Sequence, residues 1–117
     1  SIKINNANIL VLGLAFKENC PDIRNTKVVD VVSELKNFNC NIDIYDPWVD
    51  SKEASKSFDI KITNTLKRNT YDGVIVAVAH KEFFKMGIKK IKSYCKPSHV
   101  IYDLKHIFDK TEVDLRL

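Results

Sequence analysis

A continuous apolar segment at residues 73–79, GVIVAVA, constrains the fold of this chain more than any other feature. A strand with one side in solvent alternates polar and apolar residues, whereas this segment is apolar at every position. It therefore has to be buried on both faces, like the central strand of a parallel sheet that helices cover on both sides. The segment predicts an α/β fold.

Short β-branched runs alternate with helical patterns along the rest of the chain, which is typical of a parallel sheet between two layers of helices. Valine and leucine recur at helical spacing through residues 26–38, and Asn25 or Thr26 is placed to cap that helix. The predicted strands are residues 9–14, 41–45, 59–62, 73–79 and 99–103. Further helical segments are predicted at residues 51–58, 65–69, 81–84 and 88–94. Residues 104–117 are expected to pack back on the domain or to contact a neighbour.

The chain has 117 residues, of which 44% are apolar, and this is enough for one domain with a single core. We predict a Rossmann-like, three-layer α/β/α domain over residues 1–117, with a mainly parallel five-stranded sheet in the order 3-2-1-4-5. Ligands bind such sheets at the carboxyl ends of the strands, where the strand order reverses. Because that point lies between the first and fourth strands, the loops that follow the first, fourth and fifth strands should form one crevice. These loops are residues 15–25, 79–81 and 104–108, and the edge they form gathers Lys17, Arg24, His80 and Lys105.

The loop after the first strand carries the strongest functional signal. The strand ends at Gly13, and the loop then presents the ring of Phe16 and the cations of Lys17 and Arg24. A ring and positive charges at the carboxyl edge of a parallel sheet suit an anionic, ring-bearing partner such as a nucleotide.

Composition excludes several classes of function. Lys and Arg outnumber Asp and Glu by 19 to 15, and these charges are interspersed, which does not indicate binding to nucleic acid. No apolar run approaches the roughly 20 residues that cross a bilayer, so no membrane partner is expected. Three cysteines without C-x-x-C spacing argue against a disulfide framework or a zinc site, and reduced thiols predict a cytoplasmic location.

Two other folds of this class fit the sequence poorly. A dinucleotide-binding fold places an acidic residue like Asp46 after its second strand, but it also needs G-x-G-x-x-G after its first, and here side chains follow Gly13 directly. We therefore interpret Asp46 as a turn former with Pro47. A phosphorylation receiver domain would place a lysine where Lys105 stands, but the acidic residues of its metal pocket have no counterpart after the first and third strands. The receiver fold stays a weak alternative.

Four motifs occur in one register: GLAFKENCPDIRNT at residues 13–26, IYDPW at 44–48, VAHKEF at 78–83 and YDLK at 102–105. With these motifs the chain resembles the C-terminal domain of the UDP-glucose/GDP-mannose dehydrogenase family. The motif sequences are most similar to those of the Vi-polysaccharide type, which oxidises UDP-N-acetylhexosamines.

The resemblance implies an enzyme that oxidises the C6 alcohol of a UDP-sugar to a carboxylate with two NAD molecules in turn, for polysaccharide biosynthesis. In that family an N-terminal domain binds NAD, a catalytic cysteine follows it, and the C-terminal domain closes over UDP. Cys20 precedes Pro21 and lies in the wrong motif for the nucleophile, so no catalytic residue is assigned. The implied partners are the UDP-sugar, the enzyme's own N-terminal and central domains, and further copies in a homodimer or higher oligomer. Alone, the chain should be a substrate-binding portion without activity.

By residue match, the resemblance implies that Phe16, Lys17 and Lys105 contact the substrate, and that Arg24 reaches NAD on the other domain. Lys17 could also be a solvated cation, and Arg24 could pair with Asp22 while it binds. Many relatives have an arginine at the position of Lys105. The lysine keeps the positive charge of that arginine but lacks its planar guanidinium group.

The motifs also contain residues for which a structural role is simpler. His80 is interpreted as a structural hydrogen-bonding group and not as a base. Trp48 is interpreted as a surface-capping aromatic residue, with a part in a subunit contact as the alternative. The cluster of Lys89, Lys90 and Lys92 is interpreted as a solvated helix face. A different class of function also fits the sequence, namely a free-standing nucleotide-binding or regulatory module without oxidoreductase activity.

Overall fold

One parallel sheet organises the chain in the computed structural model, which describes residues 5–24, 26–58, 60 and 62–116. Its strands lie in the order β2-β1-β3-β4-β5, and every neighbouring pair is parallel. The strands are β1 (Asn8–Leu12), β2 (Asn41–Tyr45), β3 (Tyr71–Val76), β4 (Cys95–Asp103) and β5 (Leu115–Arg116). The helices are α1 (Val28–Asn37), α2 (Ser51–Phe58) and α3 (Lys81–Ser93).

The central strand β1 divides its side chains between two separate cores. Ile9 and Val11 pack with buried residues of α1 and α2, whereas Leu10 and Leu12 pack with buried residues of β3, β4 and α3. Successive side chains of a strand point to opposite faces, so this division places helices on both sides of the sheet. The predicted three-layer α/β/α architecture is confirmed.

The predicted strand order holds for the four main strands, but the edges of the sheet differ from the prediction. The expected strand at residues 59–62 is present only as a single parallel bridge between Ile44 and Ile62, and residues 59 and 61 lie outside the described residues. The fifth strand is instead β5, which pairs with Tyr102 and Asp103 of β4 on the other edge. The end of the chain therefore packs back on the domain, one of the two outcomes expected for it.

The helices follow the sequence pattern with one error. The two predicted segments at residues 81–84 and 88–94 form α3, which kinks at Gly87, where φ is 78°. The hydroxyl oxygen of Thr26 accepts the N–H of Val28 at the start of α1, whereas the other predicted cap, Asn25, lies outside the described residues. The helical turn predicted at residues 65–69 is wrong, because this segment is irregular, with a bend at residue 65 and a turn at residues 68–69. Among the described residues, no helix combines the length and apolar character that crossing a bilayer requires.

Candidate functional site

A crevice of about 350 Å³ opens at the carboxyl ends of β1, β3 and β4. This is the edge at which the strand order reverses, where open parallel sheets bind ligands. The loops after these strands converge as predicted, although the crevice is lined after β3 by Ala77 and Val78 and not by residues 79–81. The start of α1 forms a further wall. The lining residues are Ala15, Phe16, Lys17, Glu18, Thr26, Lys27, Val28, Val31, Ala77, Val78, Leu104 and Lys105.

Gly13 brings two of these loops together. Its φ of 105° is a conformation that side chains rarely adopt, and a β-carbon at this position would lie 2.5 Å from the Cβ of Val78. Its N–H donates to the carbonyl of Tyr45 at 2.9 Å, which also ties the end of β1 to β2. The glycine thus allows the loop after β1 to lie directly against the loop after β3.

Phe16 and Lys17 lie in the crevice wall on the loop after β1. Phe16 is 53% exposed, and Lys17 beside it is exposed as well. A backbone hydrogen bond closes this loop, because the N–H of Phe16 donates to the carbonyl of Asp22 at 2.7 Å. A ring and a cation are therefore presented on an anchored backbone.

Lys105 faces the same crevice from the loop after β4, and a buried carboxylate shapes that loop. Asp103 is fully buried, and its two carboxylate oxygens accept the N–H of Lys105 at 3.2 Å and the N–H of Phe108 at 2.9 Å. The structure thus brings together all three residues that the sequence predicted to bind substrate: Phe16, Lys17 and Lys105.

Arg24 lies outside the crevice, although the sequence grouped it at the same edge. Its side chain is 85% exposed, and its Nε and one Nη atom each lie 3.1 Å from a carboxylate oxygen of Asp22. These hydrogen bonds hold the pKa of Asp22 below its usual range. The ion pair expected between these two residues is present, and the guanidinium still faces solvent.

Asp46 does more than the turn-forming role that the sequence indicated. One carboxylate oxygen accepts the N–H of Trp48 at 2.8 Å, which is the expected turn. The other accepts the N–H groups of Leu14 at 2.7 Å and Ala15 at 2.9 Å, and it lies 2.9 Å from Nε2 of His80. Burial opposes the ionisation of Asp46, but these hydrogen bonds together outweigh it and lower the pKa of the carboxyl.

His80 is buried and structural, in agreement with the simpler interpretation of the sequence. Its ring is fully buried, and its Nδ1 accepts the N–H of Asn19 at 2.8 Å. Trp48 stacks over the ring with 6.1 Å between centroids and donates from Nε1 to Glu82 at 2.8 Å. Trp48 therefore caps His80 at the surface, and His80 cannot reach a ligand in the crevice.

The loop after β1 does not fit NAD in the manner of a primary dinucleotide-binding fold. In that fold the backbone amides of this turn face the pyrophosphate, and an acidic residue after the second strand binds the ribose. Here Asp46 occupies the acidic position and accepts the amides of Leu14 and Ala15 itself. Among the described residues, no group of three or more acidic, histidine or cysteine side chains is arranged to hold a metal ion.

Comparison with protein families matches residues 10–110 to the UDP-binding domain of the UDP-glucose/GDP-mannose dehydrogenase family. The chain belongs to this family. The family suggested by the four sequence motifs is thereby confirmed.

The relatives agree with this assignment in both sequence and fold. A UDP-N-acetyl-D-glucosamine 6-dehydrogenase of Pseudomonas aeruginosa is 48% identical over 116 residues, covering 99% of this chain and 28% of the relative. An enzyme of the same name from Salmonella typhi is 45% identical, covering 99% of this chain and 27% of the relative. The structure of a UDP-D-ManNAc dehydrogenase from Pyrococcus horikoshii has a TM-score of 0.73 and 28% identity, covering 93% of this chain and 24% of that one. The chain thus spans about a quarter of the length of these proteins.

Proposed function

We propose that this chain is the C-terminal, UDP-binding domain of an NAD-dependent nucleotide-sugar 6-dehydrogenase. The reaction is the oxidation of the C6 alcohol of a UDP-N-acetylhexosamine, or of UDP-glucose, to the uronic acid for polysaccharide biosynthesis. The observation that carries the proposal is one crevice at the carboxyl edge of the sheet, lined by Phe16, Lys17 and Lys105. The names of the P. aeruginosa and S. typhi relatives support a UDP-N-acetylhexosamine as the sugar nucleotide.

The charges around the crevice suit a diphosphate. Lys17, Lys27 and Lys105 line it together with a single carboxylate, that of Glu18. Each lysine supplies a compact positive charge, and the positive end of the α1 dipole lies at the same wall, because Val28 begins that helix. The positive charges of these lysines and of the helix dipole would attract the diphosphate of UDP. The exposed ring of Phe16 offers an apolar surface beside it.

NAD, when bound, accepts the hydride from the sugar, and we propose that the N-terminal domain holds most of it. Two observations support this division: Asp46 occupies the amides of Leu14 and Ala15, and the guanidinium of Arg24 is exposed outside the crevice. Arg24 is then the residue of this chain that contacts NAD, because its planar guanidinium group suits a phosphate. The remaining partners that we propose are the central domain and a second copy of the enzyme, in the cytoplasm.

Titration of the 117-residue chain with UDP, followed by NMR chemical shifts, tests the placement of the ligand. The signals of residues 13–18, 26–28 and 104–105 should move, and Lys17→Ala should weaken binding by about tenfold, as expected for loss of a charge-assisted contact. Lys89→Ala is the matched control, because Lys89 is an exposed lysine on α3, away from the crevice. Shifts confined to another surface, or equal effects of the two substitutions, would contradict the proposal.

A second measurement separates the substrate-binding domain from a complete enzyme. The chain incubated with UDP-sugars and NAD should form no NADH, because no nucleophilic cysteine is assigned to it. Measurable turnover would show that the division of function between domains is wrong.

A further inference from the structure

The loop that carries Phe16 and Lys17 is held at both ends by one continuous set of hydrogen bonds. On one side Asp46 accepts the N–H groups of Leu14 and Ala15, immediately before Phe16. On the other side His80 accepts the N–H of Asn19, two residues after Lys17. We call Asp46, His80 and Asn19 the loop clamp.

The hydrogen-bond partners of His80 determine which of its nitrogens carries the proton. Nδ1 lies 2.8 Å from the backbone nitrogen of Asn19, which can only donate, so Nδ1 accepts and carries no proton. Nε2 then carries the proton and donates to the carboxylate of Asp46 at 2.9 Å.

Asn19 completes the loop clamp from the exposed side. Its φ of 54° is left-handed, a conformation that asparagine adopts more readily than most residues. Its side-chain oxygen accepts the N–H of Lys81 at 2.8 Å, while its own N–H donates to His80. The loop after β1 is therefore joined to the start of α3 by a reciprocal pair of bonds.

We propose that His80 is a positioning residue for the UDP-sugar, acting through the backbone of the loop that presents Phe16 and Lys17. This inference rests on the proposed function. Residues 16–18 are all exposed, and they lie between the two anchor points at Ala15 and Asn19. A ligand then meets a backbone that is already ordered and loses less conformational freedom on binding.

A role of His80 in acid or base chemistry does not fit the same contacts. The ring is fully buried, both of its nitrogens have partners within the domain, and Trp48 covers one face. Its effect on the ligand has to pass through Asn19 and Asp46.

Two substitutions of His80 separate the halves of the loop clamp. In His80→Asn the side-chain oxygen occupies the place of Nδ1, so it keeps the bond to Asn19 and loses the one to Asp46. In His80→Gln the amide nitrogen reaches the place of Nε2, so it keeps Asp46 and loses Asn19. Both variants lose the same ring, and their melting temperatures should be similar to each other.

The test uses the 117-residue chain and combines two readouts. Without ligand, hydrogen exchange of the Asn19 amide should be faster in His80→Gln and remain slow in His80→Asn. With UDP, His80→Gln should bind about tenfold more weakly than the wild type, and His80→Asn within about threefold of it. Loss of the imidazole ring alone would weaken UDP binding equally in both variants. UDP binding that is retained in His80→Asn and lost in His80→Gln therefore supports the positioning role.

A variant outside the core tests independently whether anchoring of this loop at Asn19 affects UDP binding, also if either His80 variant fails to fold. Asn19→Gly removes the bond to Lys81 at an exposed position whose left-handed φ suits glycine. It should bind UDP several-fold more weakly, while the hydrogen exchange of core amides stays unchanged.

The outcomes that would overturn the inference are distinct from failure of the proposed function. Faster exchange of Asn19 in His80→Gln, with UDP affinity equal to that of the wild type, would remove the positioning role and leave UDP binding intact. If the wild-type chain binds no UDP, the proposed function and the inference fall together, and the exchange data still report whether the loop clamp exists.

Discussion

Gly13 and Val78 are in such close contact that a β-carbon on the glycine would lie 2.5 Å from the Cβ of Val78. This contact joins the loops after β1 and β3, and both loops line the crevice. Gly87 provides a comparison within the same chain, because it also has a positive φ, of 78°, but a β-carbon there would meet no heavy atom within 4 Å.

Alanine at these two glycines should therefore have unequal effects on stability. Gly87→Ala meets only backbone strain and should lower the free energy of unfolding by about 1 kcal/mol. Gly13→Ala adds a clash with Val78 in a packed interior, so its loss should be about 3 kcal/mol or more. Urea denaturation measures both values, and equal losses would mean that the loops separate easily.

Asp46 should make stability depend on pH at the acid end. Because folding lowers the pKa of Asp46 below its ordinary value near 3.8, the ionised carboxylate stabilises the fold at neutral pH. This contribution is present above the ordinary pKa and is lost as the pH falls through the lowered value of the folded state. Asp46→Asn cannot satisfy every N–H donor that faces the carboxylate, and it should cost about 1 to 3 kcal/mol at pH 7.

The difference between wild type and Asp46→Asn should then narrow below about pH 4. Denaturation curves collected from pH 7 to acid pH measure this difference. A difference that stays constant over the whole range would mean that the charge of Asp46 contributes nothing to the fold. Glu34→Gln is a suitable control, since Glu34 is exposed in the middle of α1.

The parts of the fold that could be predicted are those determined by local pattern. The apolar segment at 73–79 overlaps most of β3 (Tyr71–Val76), which pairs with β1 on one side and β4 on the other. The edges depend on non-local contacts instead. The two residues of β5 carry no strand signal of their own, and they are held in place because Asp114 exchanges hydrogen bonds with the backbone of Ile101. In contrast, residues 59–62 have a β-branched pattern, but the described part makes only the bridge at Ile62.

The candidate site also has features that the sequence predicts and features that depend on non-local contacts. Lys17 and Lys105 could be placed together because the carboxyl ends of parallel strands share one edge of the sheet. The bond between Asp46 and His80 joins residues 34 positions apart, and no periodic pattern relates two loop residues at that distance. The available signal is a pair of polar residues, each following a predicted strand, which indicates a shared edge but not a mutual contact.

The cysteines should react in an order set by burial. Burial, together with the nearby charge of Asp114, raises the pKa of the Cys95 thiol to about 11, and burial also raises the pKa of Cys40. Since the thiolate is the reactive form, both should resist alkylation at pH 8, whereas Cys20 is only partly buried. Mass spectrometry of the native chain after iodoacetamide treatment should find Cys20 modified first. Early modification of Cys95 would show that β4 opens readily at its start.

Arg24 and Lys105 should affect different ligands in the dehydrogenase that we propose contains this chain. Arg24 is exposed outside the crevice, so Arg24→Ala should raise the KM for NAD by about tenfold and leave the KM for the UDP-sugar within twofold. Lys105 lines the crevice, so Lys105→Ala should have the opposite pattern. Initial-rate kinetics with each substrate varied in turn measure both constants, and each variant serves as the control for the other. If Arg24→Ala also weakens UDP binding to the 117-residue chain, Arg24 belongs to the substrate site, and the division between the two ligands is wrong.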